Sequence, residues 1–363
     1  MGLDGGVGYP AYSGLLSNPM MTSALITARE SSVAGDAAAR LYGVKIDRGP
    51  WLDECRVDFC TRFTKEEGLQ PNVRAALAEI ELIESLRFKA DTHGAQLHYH
   101  HAEACSLVRI QKLPDSLFDT QLQLVEAHTA LRAERMAEVL SQVVPQSAYW
   151  SAIAGLTPDR HRYTWELIGI GLRFTMLMVM RMKYHFNVAR PSRRSAIIQP
   201  MILTPGYTAY PCGHAAEASF VAEFLPLLAG DPTLPGGSPG NRPDGMARQL
   251  NRLAHRVAEN RVVAGLHFPV DSIAGQVLGT MLARHMVWLA EPGAATQLRI
   301  GAEAFPNPAQ VDPQTLPEFD CYVEGQPKVI KRPDLQFPTA SGREAPMVRA
   351  LWTLARREWI REE

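Results

Sequence analysis

The chain is 363 residues long, 46% hydrophobic and 21% charged, with 27 Gly and 26 Pro. That excludes a low-complexity or disordered polypeptide and is enough for one large core or for two to three domains of roughly 150 residues. Its 37 basic and 38 acidic residues leave a formal charge of −1, which excludes a long-range field for nucleic acid or an anionic membrane, so any anion must be held locally.

Five cysteines (Cys55, Cys60, Cys105, Cys212 and Cys321) form an odd set without a CxxC pair, which argues against a disulfide framework or zinc ribbon and for a reducing compartment. The opening MGLDGGVGYPAYSG carries an acid where a secretory leader has a basic run, so a cytoplasmic location is expected. Residues 1 to about 50, punctuated by Gly, Ser and Pro, predict a surface arm. From Pro71, apolar residues recurring at three and four predict helices over NVRAALAEIELIESLRFKADTHG, LHYHHAEACSLVRIQKL and Asp115 to Val144, with almost no strand signal. Thr157 as a cap and Pro158 in the first turn predict one long helix running to Arg190, because Pro191 cannot continue it. Its oiliest stretch, Ile168 to Met180, is interrupted by Arg173, and the uncharged run Ser272 to Ala283 has only twelve residues, short of the ~20 that a membrane span needs.

HAAEASFVAEFLPLLAG predicts a further helix, Gly230 to Asp244 a surface loop, and Met246 to about Gly265 and Pro269 to Leu289 two more helices. Residues 291 to 345 read as irregular. Ala345 to Glu362 reads as an amphipathic helix whose Trp352 and Trp359, if exposed, suit a homodimer. The expected fold is therefore all-α, a helical bundle with an additional helical N-terminal half. Residues 1–150 form the arm and helical region packed on the core, 151–295 the catalytic bundle, and 296–363 the Pro-rich tail and terminal helix. His93, His98, His100, His101 and Glu103 have spacings at which a divalent metal is conceivable, with His98 and His101 on one helical face. No acid or Cys completes a recognised set, and a solvated helix face accounts for the cluster.

The informative feature is where cations fall in the apolar periodicity. Trp165, Ile168, Leu172, Met176, Val179, Lys183, Phe186 and Arg190 step by three and four, so Lys183 and Arg190 continue a core-facing stripe and project from one face about 10 Å apart. Met246, Leu250, Leu253, Val257 and Arg261 repeat the anomaly. Three inward cations need a compensating anion, supplied by carboxylates such as Glu217 and Glu259 or by a ligand. Pro211 and Gly213 bracket a turn that feeds a helix whose first amides are free to bind an anion, with His214 at its mouth as a candidate acid or base. His267 precedes Asp271 by four residues, so the carboxylate can orient one imidazole nitrogen and leave the other as a free lone pair. Gly265 can supply the break that lets Arg261 and His267 face one point. The set suits a tetrahedral or trigonal-bipyramidal oxyanion.

These residues resemble the superfamily that joins type 2 phosphatidic acid phosphatases, bacterial acid phosphatases and vanadium-dependent haloperoxidases. Lys183, then six residues, Arg190 and Pro191 match its first signature. Pro211, Cys212, Gly213 and His214 match the second, and Asn260, Arg261, His267 and Asp271 the third. The resemblance covers about residues 158 to 290 and implies the helical bundle of the haloperoxidase and acid phosphatase type. It also implies that Lys183, Arg190, Arg261 and the Gly213 amide clamp the oxyanion, that His267 bonds to phosphorus or vanadium, that Asp271 orients it, and that His214 is acid and base. In a phosphatase His267 would form a phosphohistidine. In a haloperoxidase it would hold vanadate while His214 deprotonates hydrogen peroxide and Lys183 polarises it. Phosphate and vanadate would share the site.

Cys212 replaces the Ser that usually bonds the oxyanion, and a thiol is the weaker donor; Asn260 replaces the Ser before Arg261. A thiol in the cradle and the methionines Met176, Met178, Met180 and Met182 count against vigorous halide oxidation. The size of the chain and its helical N-terminal half resemble the haloperoxidase branch, and Tyr207 stands where that branch has a halide-pocket residue. The expectation is thus a haloperoxidase-like enzyme taking hydrogen peroxide and halide. The alternatives are a phosphatase acting on phosphomonoesters and a non-catalytic oxyanion-binding protein.

Overall fold

The computed structural model describes residues 65–100, 102–230, 244–291, 302–304 and 344–359, and of residues 102–105, 244 and 302–304 the backbone alone. The predicted arm, the interior of the Gly230–Asp244 loop and most of the 291–345 tract lie outside them. The chain separates into two compact units, Met1–Arg74 and Ala75–Glu363, and the site lies in the second.

The described residues are mostly helical, an all-α bundle. In chain order α1 (Pro71–Glu84) is followed by strands β1 (Leu86–Ala90), β2 (Gly94–Tyr99) and β3 (Ala102–Gln111). Then come α2 (Asp115–His128), α3 (Arg132–Ser141), α4 (Ser147–Ala154), α5 (Arg162–Phe186), the short α6 (Pro191–Arg194), α7 (Gly213–Ala229), α8 (Asp244–Val263), α9 (Pro269–Ala290), strand β4 (Ala302–Ala304) and α10 (Pro346–Arg357).

The sheet corrects the helical reading of residues 86–111. Strands β1, β2 and β3 pair antiparallel, and β4 joins β3 in parallel. The turn between β1 and β2 is closed by Asp91 Oδ1, which accepts from the amides of His93 and Gly94, an Asx turn that favours a hairpin over a helix. The overlooked signal is the alternation of Ala95, Leu97 and Tyr99, all buried, a period of two. With it falls the helical face proposed for His98 and His101. His98 is on a strand, His100 bonds Arg87 and the Glu84 carbonyl, and His101 and the Glu103 side chain lie outside the described residues. No cluster of metal-binding side chains occurs among the described residues.

The core is α7 against α9, two helices buried on nearly every face. A Cβ on Gly275 would overlap the Cys212 carbonyl oxygen, and one on Gly279 the Ala216 carbonyl. Close backbone approach therefore fixes the start of α7 beside the start of α9, where Asp271 lies. Among the described residues no helix is long and apolar enough to cross a membrane.

Helix α5 is shorter than predicted at both ends. It starts at Arg162 rather than near Thr157, because its first amides, Tyr163 and Thr164, are capped by Glu358 from the far end of the chain at 2.7 and 2.9 Å. It stops at Phe186 because Asn187 takes the left-handed conformation, φ 50°, which asparagine tolerates. The terminal helix spans Pro346–Arg357, not Ala345–Glu362. Its Trp352 is buried edge-on to Phe224, and Trp359 Nε1 donates to Thr164. The exposed Trp face invoked for a homodimer is used within the chain.

Candidate active site

Lys183 and Arg190 do not share a helix face. Lys183 lies in the last turn of α5, whereas Arg190 follows the Asn187 break in extended backbone, φ −65° and ψ 154°, as the cap of α6. They converge because the chain turns between them. Both stack on the half-exposed Tyr207 ring, Lys183 Nζ and Arg190 Cζ each 5.4 Å from its centroid. Lys183 Nζ donates to the carbonyls of Thr208 and Ala209 at 2.9 and 2.6 Å, leaving one of its three N–H groups over. Arg190 donates from Nε to the Tyr207 carbonyl (3.1 Å), and from Nη1 to the Leu266 carbonyl (3.0 Å) and to His267 Nε2 (2.8 Å).

Arg261, in the last turn of α8, is wholly buried and donates from Nη2 to the Val139 carbonyl (3.1 Å) and to Gln142 Oε1 (3.3 Å). Gly265 then breaks the helix at φ 75°, as its place between Arg261 and His267 predicts. Asp271, the third residue of α9, accepts through Oδ2 from His267 Nδ1 (2.9 Å) and from the Phe268 amide (3.0 Å). A guanidinium can only donate, so His267 Nε2 is the acceptor and Nδ1 carries the proton given to Asp271.

Cys212, Gly213 and His214 enter from the start of α7. The Cys212 amide donates to the Asp271 carbonyl at 2.8 Å, tying the two helix starts together. The thiol is buried within electrostatic reach of Lys183, Arg190, Arg261 and Asp271. A Cβ on Gly213 would meet only Val179, at an ordinary contact distance of 3.9 Å. The His214 ring donates to the Val143 carbonyl.

Burial sets the electrostatics. It brings the Lys183 ammonium down to about 7, with Arg190 pushing the same way, and Arg261 to about 10. It holds His214 at about 3, assisted by Arg261, and His267 far below the ordinary imidazole value, assisted by Arg190, Lys183, His214 and Arg261. Asp271 and the Cys212 thiol are pushed up by the same desolvation, as is Glu217, to about 7.

Among the described residues no carboxylate forms an ion pair with Lys183, Arg190 or Arg261. Arg190 Nη2 and Arg261 Nε and Nη1 are buried without a hydrogen-bond partner. Glu259, one of the acids considered for that role, pairs with Arg135. Asn260 faces away from the cradle, donating to Glu138 and Gln142 and accepting from Arg135.

The sequence motifs do not indicate Val139, Gln142 and Val143, which hold Arg261 and His214 from 119 to 122 residues away in the first case. No spacing rule links positions so distant. The described helices thus gather cations around an oriented histidine. Residues 167–292 match the family model of the PAP2 superfamily. No curated protein matches the chain at a significant level.

Proposed function

We propose that the chain is an enzyme of the haloperoxidase type within the PAP2 superfamily, built around an oxyanion held at His267. The carrying observation is the uncompensated cluster. Three buried cations lie around one imidazole, and two of them, Arg190 and Arg261, carry N–H groups without a partner, a state that an anionic guest would relieve. Vanadate fits this donor set as phosphate does: Lys183, Arg190, Arg261 and the Gly213 amide would hold its oxygens, and His267 Nε2 its metal. Bound vanadate would supply a Lewis acid that activates hydrogen peroxide toward halide. Arg190 would exchange its bond to His267 for one to the guest. Asp271 would keep the proton on Nδ1 and so the lone pair on Nε2. His214, neutral at physiological pH, is in the state that takes a proton from hydrogen peroxide, whereas a phosphatase first needs it protonated. The cysteine usage supports a cytoplasmic enzyme.

One observation favours phosphomonoester hydrolysis instead: the Cys212 thiol lies within electrostatic reach of Lys183 and Arg190, where peroxide and hypohalite formed at the site would oxidise it. In that reading His267 Nε2 attacks phosphorus, the P–O bond to the alcohol breaks, and His214 protonates the leaving oxygen before activating water. Assay of one preparation separates the two. Vanadate with peroxide should switch on bromide oxidation while p-nitrophenyl phosphate is not turned over. Hydrolysis that vanadate inhibits, with no halide oxidation, would establish the phosphatase. Anion binding without either turnover would leave a binding protein.

A further inference from the structure

Helix α3 lies outside the residues that match the superfamily, yet its C-terminal turn reaches the cradle. Three groups at that helix end are engaged. The Val139 carbonyl and Gln142 Oε1 both accept from Arg261 Nη2, and the Val143 carbonyl accepts from the His214 ring. Gln142 is 1% exposed, and its oxygen also accepts from Asn260 Nδ2 at 3.0 Å. Asn260 is tied in turn to Glu138 and Arg135, and Arg256 grips Glu138 through two bonds of 2.8 Å. The end of a helix presents carbonyls with no internal partner and the negative end of its dipole, which suits two proton-bearing groups. Held through Nη2, Arg261 keeps Nε and Nη1 free of protein partners.

We propose that Gln142 is a positioning residue that acts through Arg261, fixing the guanidinium in the anion cradle, and that the α3 C-terminal turn is part of this active site. The inference rests on the anion-site reading above. As Asp271 engages one side of His267, Gln142 engages one side of Arg261 and leaves its Nε and Nη1 unpaired. A neutral acceptor does this without cancelling the charge, which a carboxylate at position 142 would do.

The test is a double-mutant cycle read as the dissociation constant for inorganic phosphate, by calorimetry on the full chain. Gln142→Met keeps the volume and removes the acceptor. Alone it should weaken phosphate binding about tenfold with little change in anion-free melting temperature, because Asn260 retains Glu138. In an Arg261→Met background the same substitution should leave the constant unchanged. Equal losses in both backgrounds, or unaltered phosphate binding in the single variant, would overturn the positioning role. A wild-type protein that binds phosphate while Gln142→Met binds it equally well sinks this inference alone. A wild-type protein that binds no phosphate removes the anion-site reading and this one together.

Discussion

Replacing Lys183 by Met should leave the stability of the anion-free protein within a few kcal/mol of the wild type, while weakening its response to anions. In the unfolded chain the ammonium titrates near 10.5, in the folded site at about 7. That difference corresponds to an electrostatic penalty of about 4–5 kcal/mol at pH 7, at 1.36 kcal/mol per pH unit. The sign follows from the lowered folded value: the penalty is complete below pH 7 and fades as pH climbs toward 10.5. Against this gain, methionine leaves the Thr208 and Ala209 carbonyls without their donor, about 1–3 kcal/mol each. The balance lies between roughly 2 kcal/mol destabilising and roughly 3 kcal/mol stabilising, a shift of no more than about 4 °C in melting temperature for a chain of this size.

Phosphate at a hundred times its dissociation constant should stabilise the wild type by about 2.7 kcal/mol, and the variant much less at the same concentration. Thermal melts with and without phosphate at pH 6, 7.5 and 9 test both halves. A variant several kcal/mol less stable without anion, yet with an undiminished phosphate shift, would refute the claim that Lys183 is an uncompensated cation held for a guest.

Asp271→Asn should still bind phosphate but lose activity by about a hundredfold or more, because an amide turned toward His267 moves the ring proton to Nε2, against the Arg190 donor; nitrogen chemical shifts of His267 report the tautomer, and an unchanged Nδ1–H would contradict this. Cys212→Ser should tighten phosphate binding roughly five- to tenfold, the difference of about one neutral hydrogen bond, since the hydroxyl is the better donor; an unaltered constant would remove the side chain from the cradle. Sulfate, whose charge is constant over this range, should bind evenly below pH 7 and lose about tenfold per unit above it. The bound anion raises the Lys183 value above its free value near 7, so binding takes up a proton; a flat profile to pH 9 would exclude Lys183 as a ligand.

Much of the site was legible because burial is written in periodicity. Lys183 and Arg261 stand in apolar stripes, and both are buried. The His267 and Asp271 spacing, with Gly265 ahead of it, places the pair at a helix start. Arg190 was legible for an incomplete reason. The stripe counted it onto the Lys183 helix, but the left-handed Asn187 ends that helix, and the Tyr207 ring and the Leu266 carbonyl then receive Arg190. The hairpin was misread because a short alternating run of Ala95, Leu97 and Tyr99 competes with nearby three-and-four coincidences, and pairing to β3 decides between them.

By itself the sequence determined which side chains must leave water: an apolar stripe buries whatever charge interrupts it, and Gly at a break sets where the chain can turn. The tertiary structure alone decided what those buried groups meet. Glu358 caps α5, Gln142 and Val139 hold Arg261, and the Thr208 and Ala209 carbonyls hold Lys183. Partners such as Glu358 and Gln142 are separated by more than a hundred residues, where local propensity carries no information. The energy of a buried charge is fixed by the few groups within hydrogen-bond reach and by the water excluded around them, so its consequence exists only once the chain has closed.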